Sequence, residues 1–217
     1  MLFLKKHRNN PSLLADFFKR LERLAAYIHV CRIYVNDRID IYGNLITEIE
    51  SGVALDNMNY LDLSEEEKKD FRDELDSNVY EFTPRRRNYL LLRLDSFISD
   101  GAATYDTKVL TIEHVLPQTV NKDSEWAEWW QDATERKVWV HRLANLVPLN
   151  KKKNSAAQNY DFKVKCDTYF KGKSGVSSFA LTTQVLTKKK WTPKVIKARQ
   201  DFLLDVLIEN WELAEDE

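Results

Sequence analysis

An acid and an imidazole stand side by side in the stretch T-I-E-H-V-L-P-Q, residues 111–118, as Glu113 and His114. A histidine side chain, with its ordinary pKa near 6.5, is suited to accept a proton at neutral pH, as a general base must. A carboxylate is a hard oxygen donor of the type that Mg²⁺ prefers. Because successive side chains of a strand point to opposite faces, both can flank one site only where the strand ends. Pro117 marks such an end.

Two asparagines further along the chain offer the remaining polar groups of such a site. Asn145 lies in a second extended segment and is a candidate to orient the imidazole of His114. Asn154, at the start of the next helix, offers a carbonyl oxygen, so Glu113 and Asn154 together supply two oxygen ligands for one Mg²⁺ or Mn²⁺ ion. These residue types suit hydrolysis of a phosphodiester, in which the histidine takes a proton from water and the cation stabilises the developing charge.

The elements that must position these residues follow from hydrophobic spacing. Residues 1–105 have helical patterns, including a capping box of Ser64 and Glu67 and a short helix expected at residues 44–49 that ends at Gly52. From residue 108 the pattern changes to a β-branched strand, a connection, a second short strand, a helix and a closing helix. We therefore predict a mainly α protein with a small β component (α+β). Its N-terminal helical region spans 1–105, and a domain at 106–217 carries the candidate site.

Positive charge is concentrated late in the chain. Residues 151–200 contain twelve lysines and one arginine against two aspartates, although the whole chain has a net charge of −1. Such a block suits a polyanion such as DNA, and a solvated lysine face is the alternative. Lys151, Lys152 and Lys153 directly precede Asn154, which makes them candidates for contact with DNA phosphates.

For several other residues the sequence leaves both a functional and a structural role possible. His141, four residues before Asn145, is a candidate for phosphate contact, and packing is the alternative. Asn150 and Asn159 compete with Asn154 for the role of ligand. The tryptophans of the connection are spaced as core residues of an amphipathic helix rather than as a surface for base stacking: Trp126, Trp129, Trp130 and Trp139.

Composition narrows the class of protein. The two cysteines, Cys31 and Cys166, lie far apart without the spacing of a metal site, which is typical of reduced thiols in the cytoplasm. No run of about eighteen apolar residues is present, so we expect no membrane span. The sequence thus predicts a cytoplasmic globular protein.

Three motifs, taken in order, resemble a nuclease family. They are I-E-H-V-L-P-Q at 112–118, H-R-L-A-N-L-V-P-L-N-K-K-K-N at 141–154 and D-F-K-V-K at 161–165. Together they resemble the HNH-type (His-Me finger) nuclease domain at the C-terminus of GmrSD-like restriction enzymes, which belong to modification-dependent and phage-defence systems. The resemblance spans roughly residues 85–170, and the earlier helices are similar to the helical linker that precedes this domain.

The resemblance implies a ββα-metal (HNH) finger embedded in helices and a metal-dependent DNA endonuclease or nickase. By it, His114 is the base, Glu113 and Asn154 hold one Mg²⁺ or Mn²⁺ ion, and Asn145 supports the histidine. Lys165 matches the lysine of the family's F-x-x-K and is counted among the DNA-binding residues. The implied partners are DNA and a nucleotide-hydrolysing N-terminal domain or subunit. Because one HNH site cuts one strand, an oligomer is a further possibility.

The sequence also departs from the family pattern. Ala144 stands where the family usually has glycine, and Glu113 where many HNH domains have aspartate. No D-G-Q-Q-R type motif of the nucleotide-hydrolysing domain is present, so we expect a fragment or a stand-alone C-terminal half. Two other functions remain: a catalytically degenerate domain that binds DNA without cutting it, and a helical protein-interaction module. Only the module predicts no salt-dependent affinity for DNA.

Overall fold

The computed structural model describes residues 1–99, 105, 110–150, 159–171 and 178–215. Helices dominate these residues, and the strands among them form one two-stranded antiparallel sheet. The predicted mainly α fold with a small β component is therefore confirmed. The chain divides into two compact units: Met1–Glu74 together with Trp211–Glu217, and Leu75–Asn210.

The first unit is helical. Its helix α2 (Pro11–Val30) buries an apolar stripe that includes Phe17, Leu24 and Tyr27, at the spacing of one helix face. Arg23, also buried, donates to Asp62 at 2.6 Å and to Glu212 at 2.8 Å. The helices that contribute to this unit are α1 (Leu2–His7), α2 (Pro11–Val30), α3 (Val35–Ser51) and α4 (Glu65–Leu75).

Two helix ends in this unit follow the sequence signals. The Ser64 backbone N–H donates to the Glu67 carboxylate at 2.8 Å, and the Glu67 N–H donates to Ser64 Oγ at 3.3 Å, which is the predicted capping box. Helix α3 ends at Gly52, whose φ of +76° lies in the left-handed region that glycine tolerates. The helix itself begins at Val35, well before the predicted start at residue 44.

The second unit carries the sheet and the candidate site. Strand β1 (Leu110–His114) pairs antiparallel with strand β2 (Leu146–Asn150). Helices α5 (Pro84–Ile98) and α9 (Ala180–Leu186) pack against β2. The elements of this unit are α5 (Pro84–Ile98), β1 (Leu110–His114), α6 (Glu125–Trp129), α7 (Ala133–Trp139), β2 (Leu146–Asn150), α8 (Phe162–Val164), the π-helical turn Lys165–Phe170, α9 (Ala180–Leu186) and α10 (Pro193–Asn210).

Tryptophan side chains fill the core of the second unit. Trp126, Trp130 and Trp191 are fully buried. The indole N–H of Trp126 donates to the carbonyl of Tyr160 at 2.9 Å, and that of Trp130 donates to the carbonyl of Trp191 at 2.6 Å. The predicted core role of Trp126 and Trp130 is confirmed, and Trp129 is partly buried against the same cluster, as is Trp139.

The chain passes from the first compact unit to the second between residues 74 and 75 and returns to the first between residues 210 and 211. The boundary predicted from the sequence, after residue 105, stays a prediction. Helix α5 belongs to the second unit because it packs on α9, α10 and β2. The predicted extent of the nuclease domain stays a prediction. Within the part of the chain that the structure describes, every helix is too short or too polar to cross a membrane.

Candidate active site

The end of β1 brings the acid and the imidazole against the segment that leads into β2. Glu113 pairs with Val147 and His114 with Leu146 in the antiparallel register. The contact continues one residue further, where the Val115 N–H donates to the carbonyl of Asn145 at 2.9 Å. The three-residue 3₁₀ turn Leu143–Asn145 therefore lies directly beside His114.

A buried lysine ties the two candidate residues of β1 together. Lys165 is only 1% exposed, and its ammonium donates to Glu113 Oε1 at 3.0 Å and to the backbone carbonyl of His114 at 2.7 Å. Burial raises the pKa of Glu113, and the positive charge of Lys165 opposes that shift. Burial lowers the pKa of Lys165, and Glu113 opposes that shift in turn. The pair therefore holds the Glu113 carboxylate in a fixed position.

This burial bears on the predicted role of Lys165 as a DNA contact. With both described hydrogen bonds of its ammonium made inside the protein, Lys165 offers no exposed charge to a DNA phosphate in this arrangement. Its place is at the start of the π-helical turn after α8, a helical irregularity that is frequent at functional sites. We therefore treat Lys165 as the partner of Glu113.

The His114 imidazole is buried and contacted at both nitrogens. Its Nδ1 lies 3.3 Å from Nε2 of Gln118, and its Nε2 lies 3.2 Å from Nδ1 of His141. The ring of Tyr80 packs on it, with 4.0 Å between ring centroids. Burial is the largest cause that lowers the pKa of His114, to about 3, and the charges of His141, Lys165 and Arg87 add to it. The imidazole is therefore neutral at pH 7 and able to accept a proton.

Asn145, predicted to orient the imidazole of His114, is fully buried beside the end of β1. Its amide Nδ2 donates to the carbonyls of Leu116 at 3.0 Å and Val140 at 2.9 Å. Its Oδ1 accepts from the Leu116 N–H at 2.7 Å and from the indole N–H of Trp191 at 3.1 Å. The described hydrogen bonds of the side chain include none to the imidazole of His114. Asn145 instead pins the chain just after His114 to the turn before β2.

Helix α10 supports this turn from the other side. Arg199, which is buried, donates to the carbonyl of Ala144 and, at 2.8 Å, to the carbonyl of Leu181. Burial lowers the pKa of Arg199 to about 9. Gln200 Oε1 accepts from the Ala144 N–H at 2.8 Å. Ala144 is itself fully buried, and among the described residues it is not one of those with a positive φ, so its backbone conformation does not require glycine.

Several predicted site residues lie outside the described part of the chain or away from the imidazole. Asn154 and the three lysines before it belong to residues 151–158, which are not described, and the side chain of Asn150 is also outside. Asn159 is exposed. His141, predicted to contact phosphate, is half-buried with its Nδ1 toward His114. Among the described residues no group of three His, Cys, Asp or Glu side chains is placed to hold a metal ion.

Sequence reasoning missed four residues that surround the site. Gln118 belongs to the motif that contains Glu113 and His114, so its position directly after Pro117 could have marked it as a site residue. No local pattern marks the others, because each comes from a distant part of the chain. The four are Tyr80, Gln118, Arg199 and Gln200.

Comparison with known proteins identifies a family for this chain. Residues 65–206 match the profile of the family described as GmrSD restriction endonucleases, C-terminal domain. The match contains both strands, the Glu113–His114 pair, Asn145 and Lys165. A search of curated proteins found no match. Because the profile covers well over half of the chain, the protein belongs to the family of GmrSD restriction endonuclease C-terminal domains.

Proposed function

We propose that this protein is an HNH-type, metal-dependent DNA endonuclease or nickase that hydrolyses phosphodiester bonds in a restriction or anti-phage defence system. The family is one of restriction endonucleases, which implies a DNA substrate. The observation that carries the proposal is the Glu113–His114 pair at the end of β1, tied together by the buried ammonium of Lys165. Lys165 holds the Glu113 carboxylate and the backbone of His114, and a carboxylate and a neutral imidazole on adjacent residues at a strand end suit phosphodiester hydrolysis.

The described donors fit one hard divalent cation, Mg²⁺ or Mn²⁺. Mg²⁺ is commonly held by one or two carboxylates, with water and substrate phosphate completing its shell, so a single described carboxylate meets the requirement. Glu113 keeps 15% of its side chain exposed while Lys165 orients it. We assign Glu113 as a ligand and keep Asn154 as the second. When bound, the cation would supply positive charge against the phosphate and the leaving oxygen.

In the proposed reaction the chain's own residues manage the proton of the attacking water. His114 accepts a proton from water, the water oxygen forms a bond to phosphorus, and the bond from phosphorus to the 3′-oxygen breaks. The leaving oxygen takes a proton from solvent. A base with a pKa of about 3 is weak. The negative charge of a bound phosphodiester raises the pKa of a nearby imidazole, and the positive charge of a bound cation opposes that shift.

Asn145 and Lys165 act in this proposal by positioning. Asn145 fixes the backbone of Leu116, two residues after His114. Lys165 fixes the carboxylate of Glu113 and the backbone of His114. Neither needs to contact DNA for this role. Lys151, Lys152 and Lys153 remain the proposed phosphate contacts.

The wider setting of the activity is also part of the proposal. We expect DNA as the partner, a nucleotide-hydrolysing N-terminal domain or subunit, and a second copy where both strands are cut. The proposed location is the cytoplasm, where the DNA substrate of the proposed activity is found. Both cysteines are free thiols, which agrees with that compartment.

Cleavage of supercoiled plasmid tests the proposal. We expect nicked circles with Mg²⁺ or Mn²⁺, none with EDTA, and none from His114→Ala. His7→Ala is the matched control, because His7 lies in helix α1 of the first unit. We expect the His7→Ala protein to cut plasmid normally. If no divalent cation supports cleavage while salt-dependent DNA binding persists with EDTA, the catalytically degenerate DNA-binding module is favoured. A His114→Ala variant that cuts as well as the unsubstituted protein would exclude the mechanism.

A further inference from the structure

Both nitrogens of the His114 ring have a neighbour whose hydrogen-bonding chemistry is fixed or restricted. Gln118 approaches Nδ1 through its amide nitrogen Nε2, which only donates. His141 approaches Nε2 through its own Nδ1, which donates or accepts according to tautomer. The Gln118 contact therefore decides the direction of both hydrogen bonds.

Because Gln118 donates to Nδ1, that nitrogen of His114 carries the lone pair. A neutral imidazole has one proton, so the proton of His114 lies on Nε2 and is donated to Nδ1 of His141. His141 is then the acceptor of this hydrogen bond, at its Nδ1. One chain of hydrogen bonds, directed from Gln118 to His114 to His141, follows from these two contacts and from the donor chemistry of the Gln118 amide nitrogen.

We propose that His141 is the positioning residue that fixes the tautomer of His114, and that Nδ1 of His114 is the atom that takes the proton from water. This inference rests on the proposed nuclease function and names the part of the site that sequence reasoning assigned to Asn145. The Gln118 amide nitrogen, a donor 3.3 Å from Nδ1, occupies the place of the attacking water, whose O–H would donate to the same lone pair.

The exposure of the three residues agrees with this assignment. Gln118 is exposed, whereas His114 is only 5% exposed and His141 is half-buried. The solvent side of the imidazole is therefore the Nδ1 side, which displacement of the Gln118 side chain opens to water. The Nε2 side is closed by His141 and does not need to meet substrate.

The second histidine is held in place by residues of the turn before α5 and of α5 itself. The Tyr80 ring stacks on His141 at 5.4 Å between centroids and 12° between planes, and the Tyr80 N–H donates to the carbonyl of His141 at 3.0 Å. The Arg87 guanidinium lies over the Tyr80 ring, 4.4 Å from its centroid, and donates to the Tyr80 carbonyl at 2.9 Å. Such support is what a positioning residue requires.

Nitrogen NMR of the metal-free protein reads the tautomer directly. With ¹⁵N-labelled histidine we expect His114 to have a pyrrole-type Nε2 and a pyridine-type Nδ1 at pH 7. The His141→Asn variant keeps an oxygen acceptor near the position of Nδ1 and should keep this pattern. A pyrrole-type Nδ1 in the unsubstituted protein would overturn the inference, whether or not the protein cuts DNA.

Cleavage kinetics separate positioning from phosphate contact. We expect His141→Ala to lower kcat by at least about tenfold with little change in KM, and His141→Asn to restore most of kcat. A raised KM with unchanged kcat would mean that His141 contacts DNA. An equal loss of kcat in His141→Ala and His141→Asn would mean that the hydrogen-bond acceptor at this position is not required. Either result refutes the positioning role. Failure of the nuclease proposal is recognised separately, because no divalent cation would then support plasmid cleavage by the unsubstituted protein, whereas the nitrogen NMR result does not depend on cleavage.

Discussion

Replacement of Asn145 by alanine is the sharpest stability test that the site offers. The side chain is fully buried, and its amide satisfies four groups: the N–H and carbonyl of Leu116, the carbonyl of Val140 and the indole N–H of Trp191. Leu116 and Trp191 are themselves fully buried, so alanine leaves three polar atoms of these two residues without a partner in the core. Each buried polar group left unpaired costs about 1–3 kcal/mol. We therefore expect Asn145→Ala to lower the free energy of unfolding by about 4 kcal/mol.

Urea unfolding followed by tryptophan fluorescence measures this loss. The midpoint should fall while the m-value stays the same, because the surface exposed on unfolding is unchanged. Asn36→Ala is the matched control, since Asn36 is exposed on helix α3 and should change the free energy of unfolding by less than about 0.5 kcal/mol. A double-mutant cycle with Trp191→Phe isolates the contact between Asn145 and the indole, with a coupling of about 1 kcal/mol expected. A loss below about 1 kcal/mol for Asn145→Ala would refute the reasoning.

Three further outcomes are expected. Lys165→Met leaves the half-buried Glu113 without its cation and should destabilise the protein by about 3 kcal/mol in urea unfolding, and a loss near zero would contradict the ion pair. The folded-state pKa of His114 lies below its unfolded value, so the stability that His114 contributes is present above about pH 6.5 and is lost as the pH falls. The free energy of unfolding should fall by up to about 1.4 kcal/mol per pH unit, and His114→Gln should flatten this slope. An unchanged slope in His114→Gln would mean that another group causes the pH dependence. Glu113→Gln should weaken Mn²⁺ binding in calorimetry by at least about tenfold, and unchanged affinity would remove Glu113 as a ligand.

Local signals in the sequence were sufficient where the structure depends on neighbouring residues. The capping box at Ser64 and the glycine stop at Gly52 are local hydrogen-bond and φ requirements, and both are present. The strand that ends at Glu113 and His114 was likewise readable from β-branched residues and the following proline. The start of helix α3 was predicted too late: Val35, Ile39 and Tyr42 follow helical spacing before residue 44, although Val35 and Ile39 are exposed in the folded chain.

The partners of buried polar groups could not be obtained in this way. The Asn145 side chain accepts a hydrogen bond from the backbone of Leu116, which is 29 positions away, and the Lys165 ammonium donates to the Glu113 carboxylate, which is 52 positions away. Which polar side chain meets which buried group depends on how the elements pack, and sequence spacing does not carry that information. The sequence therefore predicted the candidate base and acid, whereas the residues that orient them became visible only in the folded chain.

The central claim is that a hard cation and an imidazole base meet at the end of β1. Anomalous scattering from crystals soaked in Mn²⁺ tests it most directly. The account predicts one strong peak in contact with the Glu113 carboxylate, with Asn154 as the second protein ligand and His114 alongside. A peak elsewhere with none at Glu113, or Asn154 placed far from His114, would contradict it.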